Sequence, residues 1–551
     1  MLFRRIGVRC RSSELMIYPG YRKRTIFLLV ALLLVRFWFG QTFELSGQEA
    51  YLWWQGHGTN LSPAYWERGP FVPWLIRIGT AFFGDTELGV RWPAAVICCT
   101  TGFILFYLAR HWFSPRAAFW TVVLFIFIPM YAWKFSFMTE ASASIGLMAV
   151  AMLGFSLAME KDKIWWWLLG GAACGMGMLV ALPNIWWIAG LLLFFTFSPE
   201  RRPRLREARL LATIAFTAFF LIPIILWWKG PQVADIAHTR ILNAWPLSHG
   251  LSFHQGFHFL WLEIFYLSVP FFLLLVMVLR RVSPRLWDDP RYGLLVCLAL
   301  PGLVWENFSA FFQEGHFELV PALFLPLTLL AGCYLTRLTR VDRTAQWVCL
   351  GVLILAGIQS LAGLNPFYLE KTDDAIRGDV VRNLGPYRIL RMKSGENVTG
   401  FYADKRQVSW RNLADAVQGL QRDLGATLLI AETPEIASAL SFYLPRNPFV
   451  YVESKPNVIT HFDFWPGYAQ SASPNDSALF ISQSTNPDHP AEPPSTEIIK
   501  DFAEVKLIDD PPLPDFNKTW DIWSCQKFVG SGQASSDIET SPMPEHDALP
   551  K

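Results

Sequence analysis

Between Glu44 and Trp92 the chain reads ELSGQEAYLWWQGHGTNLSPAYWERGPFVPWLIRIGTAFFGDTELGVRW, and in it stand Glu49, His57, Glu67, Arg68, Arg77, Asp85, Glu87 and Arg91. Carboxylates, an imidazole and guanidinium groups this close in sequence supply a base and a cation together. A carboxylate base takes a proton from an acceptor hydroxyl, amine or phosphate. A guanidinium holds a phosphate through paired, charge-assisted hydrogen bonds. The aromatic rings between them suit stacking on sugar faces or covering a lipid chain. The competing reading is that each charge is a hydrated loop side chain, and it is stronger for Glu49, Glu67 or Arg68 alone than for the cluster.

The elements that hold this loop are apolar. Of 551 residues 52% are hydrophobic and only 17% charged, against about 25% charged in soluble domains. The apolar residues form runs long enough to cross ~30 Å of hydrocarbon as helices. Eleven spans are expected, near 24–41, 87–110, 114–133, 140–159, 164–181, 184–198, 208–228, 258–279, 293–312, 318–336 and 345–363, with 70–84 as a re-entrant or interfacial helix. The chain reads as a polytopic α-helical membrane protein. Basic residues cluster at Arg4–Arg24, Arg201–Arg206, Arg280–Arg285 and Arg337–Arg343, in alternate loops. Basic loops stay in the cytoplasm, which puts the N-terminus inside and the loop 42–86 outside, with everything after about residue 364. The first span is not followed by a small-residue cleavage site and reads as retained. A net charge of +2 gives no sign of a nucleic-acid surface.

Residues 365–530 change character. ATLLIAE (426–432), PFVYVE (448–453), SALFISQ (477–483) and EVKLID (504–509) read as strands. TPEIASALSFY (433–443) reads as a helix with Thr433 as N-cap and Pro434 at its first position. Strands alternating with helices predict a small extracytoplasmic α/β domain, without a GxGxxG or P-loop nucleotide signature. Residues 531–551 are polar and Pro/Ser-rich and read as a disordered tail. Of eight cysteines only Cys525 falls in the outer domain, so no internal disulfide is expected there, and the absence of a CxxC pair removes zinc-ribbon and thiol-redox readings. His316 and Glu318, in EGHFELVP, begin a span on the outer side. With Glu67 they would make a divalent-metal site, against the simpler reading of a helix-start hydrogen bond; no other cofactor is expected.

GQEAY at 47–51, YWERGPFVPWL at 65–75 and FFGDTELGVRWPA at 82–94 resemble the first outer loop of GT-C membrane glycosyltransferases. The resemblance is to the bacterial family-39 group, which is protein-mannosyltransferase-like and includes aminoarabinose transferases. MTEASASIGLMAV at 138–150, LIPIILWWKG at 221–230, SFYLPRNPFVYV at 441–452 and HFDFWPG at 461–467 extend the likeness in the family's order over nearly the whole chain. The resemblance implies a membrane domain over 1–364 with a lateral lipid groove. It implies a polyprenyl-phosphate-linked sugar as donor, a lipid, glycan or protein acceptor, and an inverting transfer on the outer face of a bacterial inner membrane.

The family's base is the Asp of an Asp-Glu pair, and the matching position here is Gln48, a neutral amide. Glu49, the adjacent acid, is the first candidate to replace it. Glu140, matching the family's second-loop acid, is the second. Tyr51 and Tyr65 stand in the motifs as substrate contacts. Glu67 and Arg68 match the family's acid-base pair near the acceptor or a metal. His238 and Arg240 follow the Trp-rich segment and would grip a lipid-linked phosphate, in competition with Lys229, His249, His254 and His258. Gln48 also leaves open a non-catalytic lipid-linked-sugar binder or transporter. A transporter should show paired halves and charges buried within its spans; the sequence shows no clear repeat, and Arg36 near the end of the first span is one of few such charges.

Overall fold

The structure is a computed structural model that describes residues 19–57, 69–198, 202, 206–222, 225, 250–286, 288–312, 318–341, 351–360, 410–453, 462, 467–483, 493–508 and 520–530. The disordered tail expected over 531–551 lies outside them. The chain divides into two compact units. One comprises 1–42, 68–75 and 91–366, and the other 43–67, 76–90 and 367–551.

The first unit is helical. Helices occupy all eleven stretches in which spans were expected. They are α1 (Pro19–Thr42), α4 (Glu87–Trp112, from residue 91), α5 (Pro115–Phe127), α6 (Pro129–Lys134), α7 (Glu140–Lys161), α8 (Ile164–Val180), α9 (Trp186–Phe197), α10 (Ala208–Phe219), α11 (Phe253–Leu267), α12 (Val269–Val282), α13 (Pro290–Ser309), α14 (Val320–Val341) and α15 (Gly351–Ser360). α2 and α3 belong wholly or partly to the second unit. Among the described residues α1, α4, α7 and α13 are each long and apolar enough to cross a membrane.

Local sequence sets the ends. Ser114 caps α5 by accepting from Ala117 N at 3.1 Å, with Pro115 at the first position. Asp289 caps α13 by accepting from Arg291 N at 3.0 Å. α7 and α8 pack closely because small residues face each other. A Cβ added at Gly154 would lie 2.6 Å from Gly170 N, and small residues are what bring helices together in lipid.

The stretch 258–279 is not one straight span. The chain breaks at Ser268 (φ 68, ψ 136) into α11 and α12, bent by 97°. At the break the carbonyl of Phe265 accepts from Ser268 N at 3.1 Å and from Gln359 Nε2 on a neighbouring helix at 2.7 Å.

The second unit is an α/β layer that includes residues 43–67 and 76–90. α2 (Gly47–His57) and the end of α3 (Phe71–Phe83) join α16 (Trp410–Leu424), β1 (Leu428–Ala431), α17 (Pro434–Tyr443), β2 (Tyr451–Val452), β3 (Ala478–Gln483), α18 (Thr496–Asp501), β4 (Phe502–Leu507) and β5 (Trp520–Phe528). The sheet order is β2-β1-β3-β5-β4. β1 is parallel to β2 and β3, with Leu428 opposite Ala478, and β5 is antiparallel to β3 and β4. β1 and β3 are covered on both faces. Leu429, Ala431, Leu479 and Ile481 meet Leu413, Ile436 and Leu440 on one side, and Leu428, Ile430 and Phe480 meet Ile498 and Phe502 on the other. Strands buried on both faces read as unbroken apolar runs, as LLIA and ALFIS do. Thr433 caps α17, accepting from Ile436 N at 3.4 Å, as its sequence predicts.

The units change over at 366/367, and the second also takes in residues 43–67 and 76–90. The loop at 42–86 shares its core with the domain 367 onward: Tyr51 is a member of the same hydrophobic cluster as Leu413, Leu440 and Ile522.

Candidate active site

In the second unit Glu44, Glu49, His57, Asp85 and Glu87 each have a local partner. Ser46, Gly47, Gln48 and Glu49 form a capping box at the start of α2. Ser46 N donates to Glu49 Oε2 at 3.0 Å, Ser46 Oγ lies 3.2 Å from the same oxygen, and Glu49 N donates to Ser46 Oγ at 3.2 Å. S-x-x-E is the sequence signature of this motif. Glu49 is fully buried, while Gln48, one residue earlier, keeps part of its surface exposed. Position 47 must be glycine, because a Cβ there would stand 2.9 Å from Glu435 Cβ on α17.

Glu44 Oε2 accepts from Trp410 N at 2.6 Å and so caps α16 from outside. Glu87 pairs with Arg411 and accepts from Tyr443 Oη at 3.3 Å, and Tyr443 Oη accepts from Leu45 N at 2.8 Å. At the far end of α2, His57 Nε2 lies 2.8 Å from Asp85 Oδ1, which also accepts from Trp53 Nε1 at 2.9 Å. Burial opposes ionisation of Asp85, but the hydrogen bonds from His57 and Trp53 outweigh it and hold the carboxyl below its usual range.

The aromatics of the loop pack within the unit. Trp54 stacks on Phe462 with centroids 3.8 Å apart, Tyr51 stacks on Phe462 at 6.1 Å, and Trp53 meets Phe442 edge-on at 4.9 Å. Tyr51, expected at the substrate, is a buried core ring. Much of what makes the loop look chemical is thus architecture that ties α2 to α16 and α17.

The first unit holds the segment Tyr131 to Glu140. Glu140 is buried at the first position of α7. The cap of that helix is made by Thr139 and Ser142, whose Oγ accepts from Thr139 N at 3.3 Å, and does not use Glu140. Three buried cations meet this segment. Arg36 Nη1 donates to Ser136 Oγ, and its Nη2 donates to Ala132 O at 2.6 Å. Lys134 Nζ donates to Glu318 Oε1 at 2.5 Å. The Arg91 guanidinium lies 5.3 Å from the centre of the Phe137 ring. Elsewhere in the unit Glu263 on α11 accepts from Asn307 Nδ2 at 3.2 Å, with Glu306 also buried on α13. More charge is buried in the helical unit than the sequence suggests. Lys134 and Arg36 were the available signals, since an ionisable residue inside an apolar run marks function by default.

Tyr65, Glu67, Arg68, His238, Arg240 and His316 lie outside the described residues. No group of three or more His, Cys, Asp or Glu that could hold a metal occurs among the described residues. Glu318, the described member of the expected metal set, is engaged by Lys134.

This architecture is the GT-C fold. Two crystal structures of ArnT from Cupriavidus metallidurans superpose on the chain. The one bound to undecaprenyl phosphate gives a TM-score of 0.58 at 16% identity and covers 91% of this chain and 97% of that one; the apo structure gives 0.56 at 15% identity, covering 91% and 98%. Within the class, residues 67–228 match the family model described as dolichyl-phosphate-mannose-protein mannosyltransferase. The chain is 21% identical over 285 residues to the lipid A galacturonosyltransferase RgtD of Rhizobium johnstonii, covering 51% of this chain and 59% of that protein. It is 26% identical over 332 residues to undecaprenyl phosphate-alpha-4-amino-4-deoxy-L-arabinose arabinosyl transferase 1 of Pseudomonas fluorescens, covering 56% and 57%. The aligned part is thus less than two thirds of these relatives' length. The resemblance to family-39, aminoarabinose-transferase-like proteins read from the motifs is supported by all of these matches.

Proposed function

We propose that the chain transfers a sugar from a polyprenyl-phosphate donor to an acceptor on the outer face of a bacterial inner membrane, with its N-terminus in the cytoplasm and its α/β domain outside. The observation that carries this reading is the match over residues 67–228. It contains both the Arg68 motif and the braced segment ending at Glu140, and the relatives named above act on lipid-linked sugars or lipid A.

In the proposed reaction the acceptor oxygen attacks the anomeric carbon from the face opposite the phosphate. The bond from that carbon to the phosphate oxygen breaks, its electron pair leaves with polyprenyl phosphate, and the anomeric configuration inverts. Arg68, with Arg240 and His238, takes the charge that develops on the leaving phosphate. Glu140 takes the acceptor proton. Glu49 is assigned the frame of α2 instead, because its carboxylate already accepts from the N-cap that starts the helix. Gln48, a neutral amide, takes no proton, and Glu67 and Tyr65 are assigned to acceptor binding. Gln48 is the one observation that favours the second reading, a binder of lipid-linked sugar.

The test is incubation of the purified chain with undecaprenyl-phosphate-linked aminopentose or uronic acid and lipid A, followed by mass spectrometry of the acceptor. A mass gain of one sugar, absent in Glu140→Gln, supports the enzyme. Tight donor binding with no gain in any acceptor supports the binder.

A further inference from the structure

Seven consecutive residues before Glu140 are gripped from five other elements. Tyr131 Oη is 2.9 Å from Thr328 Oγ1 on α14. Ala132 O accepts from Arg36 on α1. Trp133 Nε1 donates to Ser360 O on α15 at 2.8 Å. Lys134 holds Glu318. Phe135 packs edge-on against Phe125 of α5 at 5.7 Å. Ser136 Oγ accepts from Arg36 and donates to Ala132 O at 2.9 Å. Phe137 meets Phe39 of α1 edge-on at 6.2 Å and lies under Arg91 of α4.

A turn joining two helices requires none of this. A buried guanidinium is costly to keep from water, and here two of its nitrogens are used on one short segment. Arg36 closes a ring with Ser136 Oγ and Ala132 O, and Ala132 O is a carbonyl in the last turn of α6, where helices leave acceptors unmatched. Arg36 therefore both ends α6 and fixes where the chain leaves it toward α7.

We propose that Arg36 is a positioning residue: it locks Tyr131–Thr139 in a single arrangement and through it sets the place of Glu140. This deepens the function proposed above and rests on it for the role of Glu140, while the lock itself does not. Small displacements of a reacting group cost roughly 10²-fold in rate. Arg36→Lys keeps the charge and loses the fork, and Arg36→Met loses both.

The experiment uses the full chain in detergent. Hydrogen–deuterium exchange is followed in peptides covering 129–140, with 410–453 as the internal reference, and donor turnover is measured alongside. Expected for Arg36→Met is faster exchange in 129–140 alone, kcat down about 10- to 100-fold and the donor KM nearly unchanged, with Arg36→Lys in between. Ser136→Ala, which removes one partner and keeps the arginine, should move exchange the same way by less, and it serves if Arg36→Met fails to insert. Unchanged exchange in 129–140, or full kcat in Arg36→Met, would overturn the proposal. Faster exchange in a chain whose wild type transfers no sugar would uphold the lock and remove the functional reading instead.

Discussion

His57 Nε2 lies 2.8 Å from Asp85 Oδ1, and the other ring nitrogen, Nδ1, lies 3.0 Å from the carbonyl oxygen of Trp53. Both neighbours are acceptors, and the two contacts hold the ring in one orientation between the last turn of α2 and Asp85. The pair is a clasp between α2 and the turn before α4, not a base awaiting a substrate.

The clasp fixes a pH dependence. The folded carboxyl of Asp85 is held below its unfolded value. A depressed folded pKa adds stability that is present above the unfolded pKa, about 4, and is lost as pH falls through the folded one. Asp85→Asn should lower stability at pH 7 by about 1 kcal/mol, discounted for its exposure, and the gap to wild type should close below about pH 4. Thermal melts across pH check this; a gap that widens in acid would contradict it.

Glu49 and Glu140 should separate. Glu49→Gln keeps the side chain's shape but weakens the cap, so it should cost about 1 kcal/mol of stability and leave turnover per folded molecule within about threefold of wild type. Glu140→Gln should lower turnover by roughly 10²–10⁴-fold with donor binding intact. Steady-state kinetics on both, normalised to folded protein, decide between them.

The stacked rings predict a stability effect. Trp54→Ala removes the ring that lies on Phe462, and Tyr51→Ala empties a place in the core. Each should cost about 3–5 kcal/mol, as large aromatic truncations do. Limited proteolysis of the full chain should then cut residues 410–530 first. Loss of donor affinity without loss of protease resistance would return these rings to the substrate.

Ser268 offers a substitution that should help. Its φ of 68 lies where side chains are strained, and its buried hydroxyl has no hydrogen-bond partner among the described residues. Ser268→Gly should raise stability by about 1 kcal/mol, read as a higher melting temperature. A lower one would mean the hydroxyl is used.

The sequence made the helices legible because apolar runs of this length have few alternatives, and Thr433-Pro434 announced α17 through capping chemistry. β1 and β3 were legible as short apolar runs. β5 was missed: in WDIWSCQKF the pairs Ile522-Trp523 and Gln526-Lys527 break the alternation that marks a strand. The larger gap lies in the first loop. Whether Tyr51, Trp53 and Trp54 face a ligand or a domain some 400 residues later is a long-range matter that local pattern does not carry. Likewise Ser46–Glu49 was readable as a capping box, but the acid drew the eye as a base. The roles of Arg36 and Lys134 depend on Ser136, Ala132 and Glu318, partners that only the fold brings near.

The most direct test of the account is acceptor-dependent release of polyprenyl phosphate, with the anomeric configuration of the product read by NMR. The account predicts release only when donor and acceptor are both present, an inverted linkage, and loss of both signals in Glu140→Gln. Release without acceptor, a retained linkage, or full release in Glu140→Gln would contradict it.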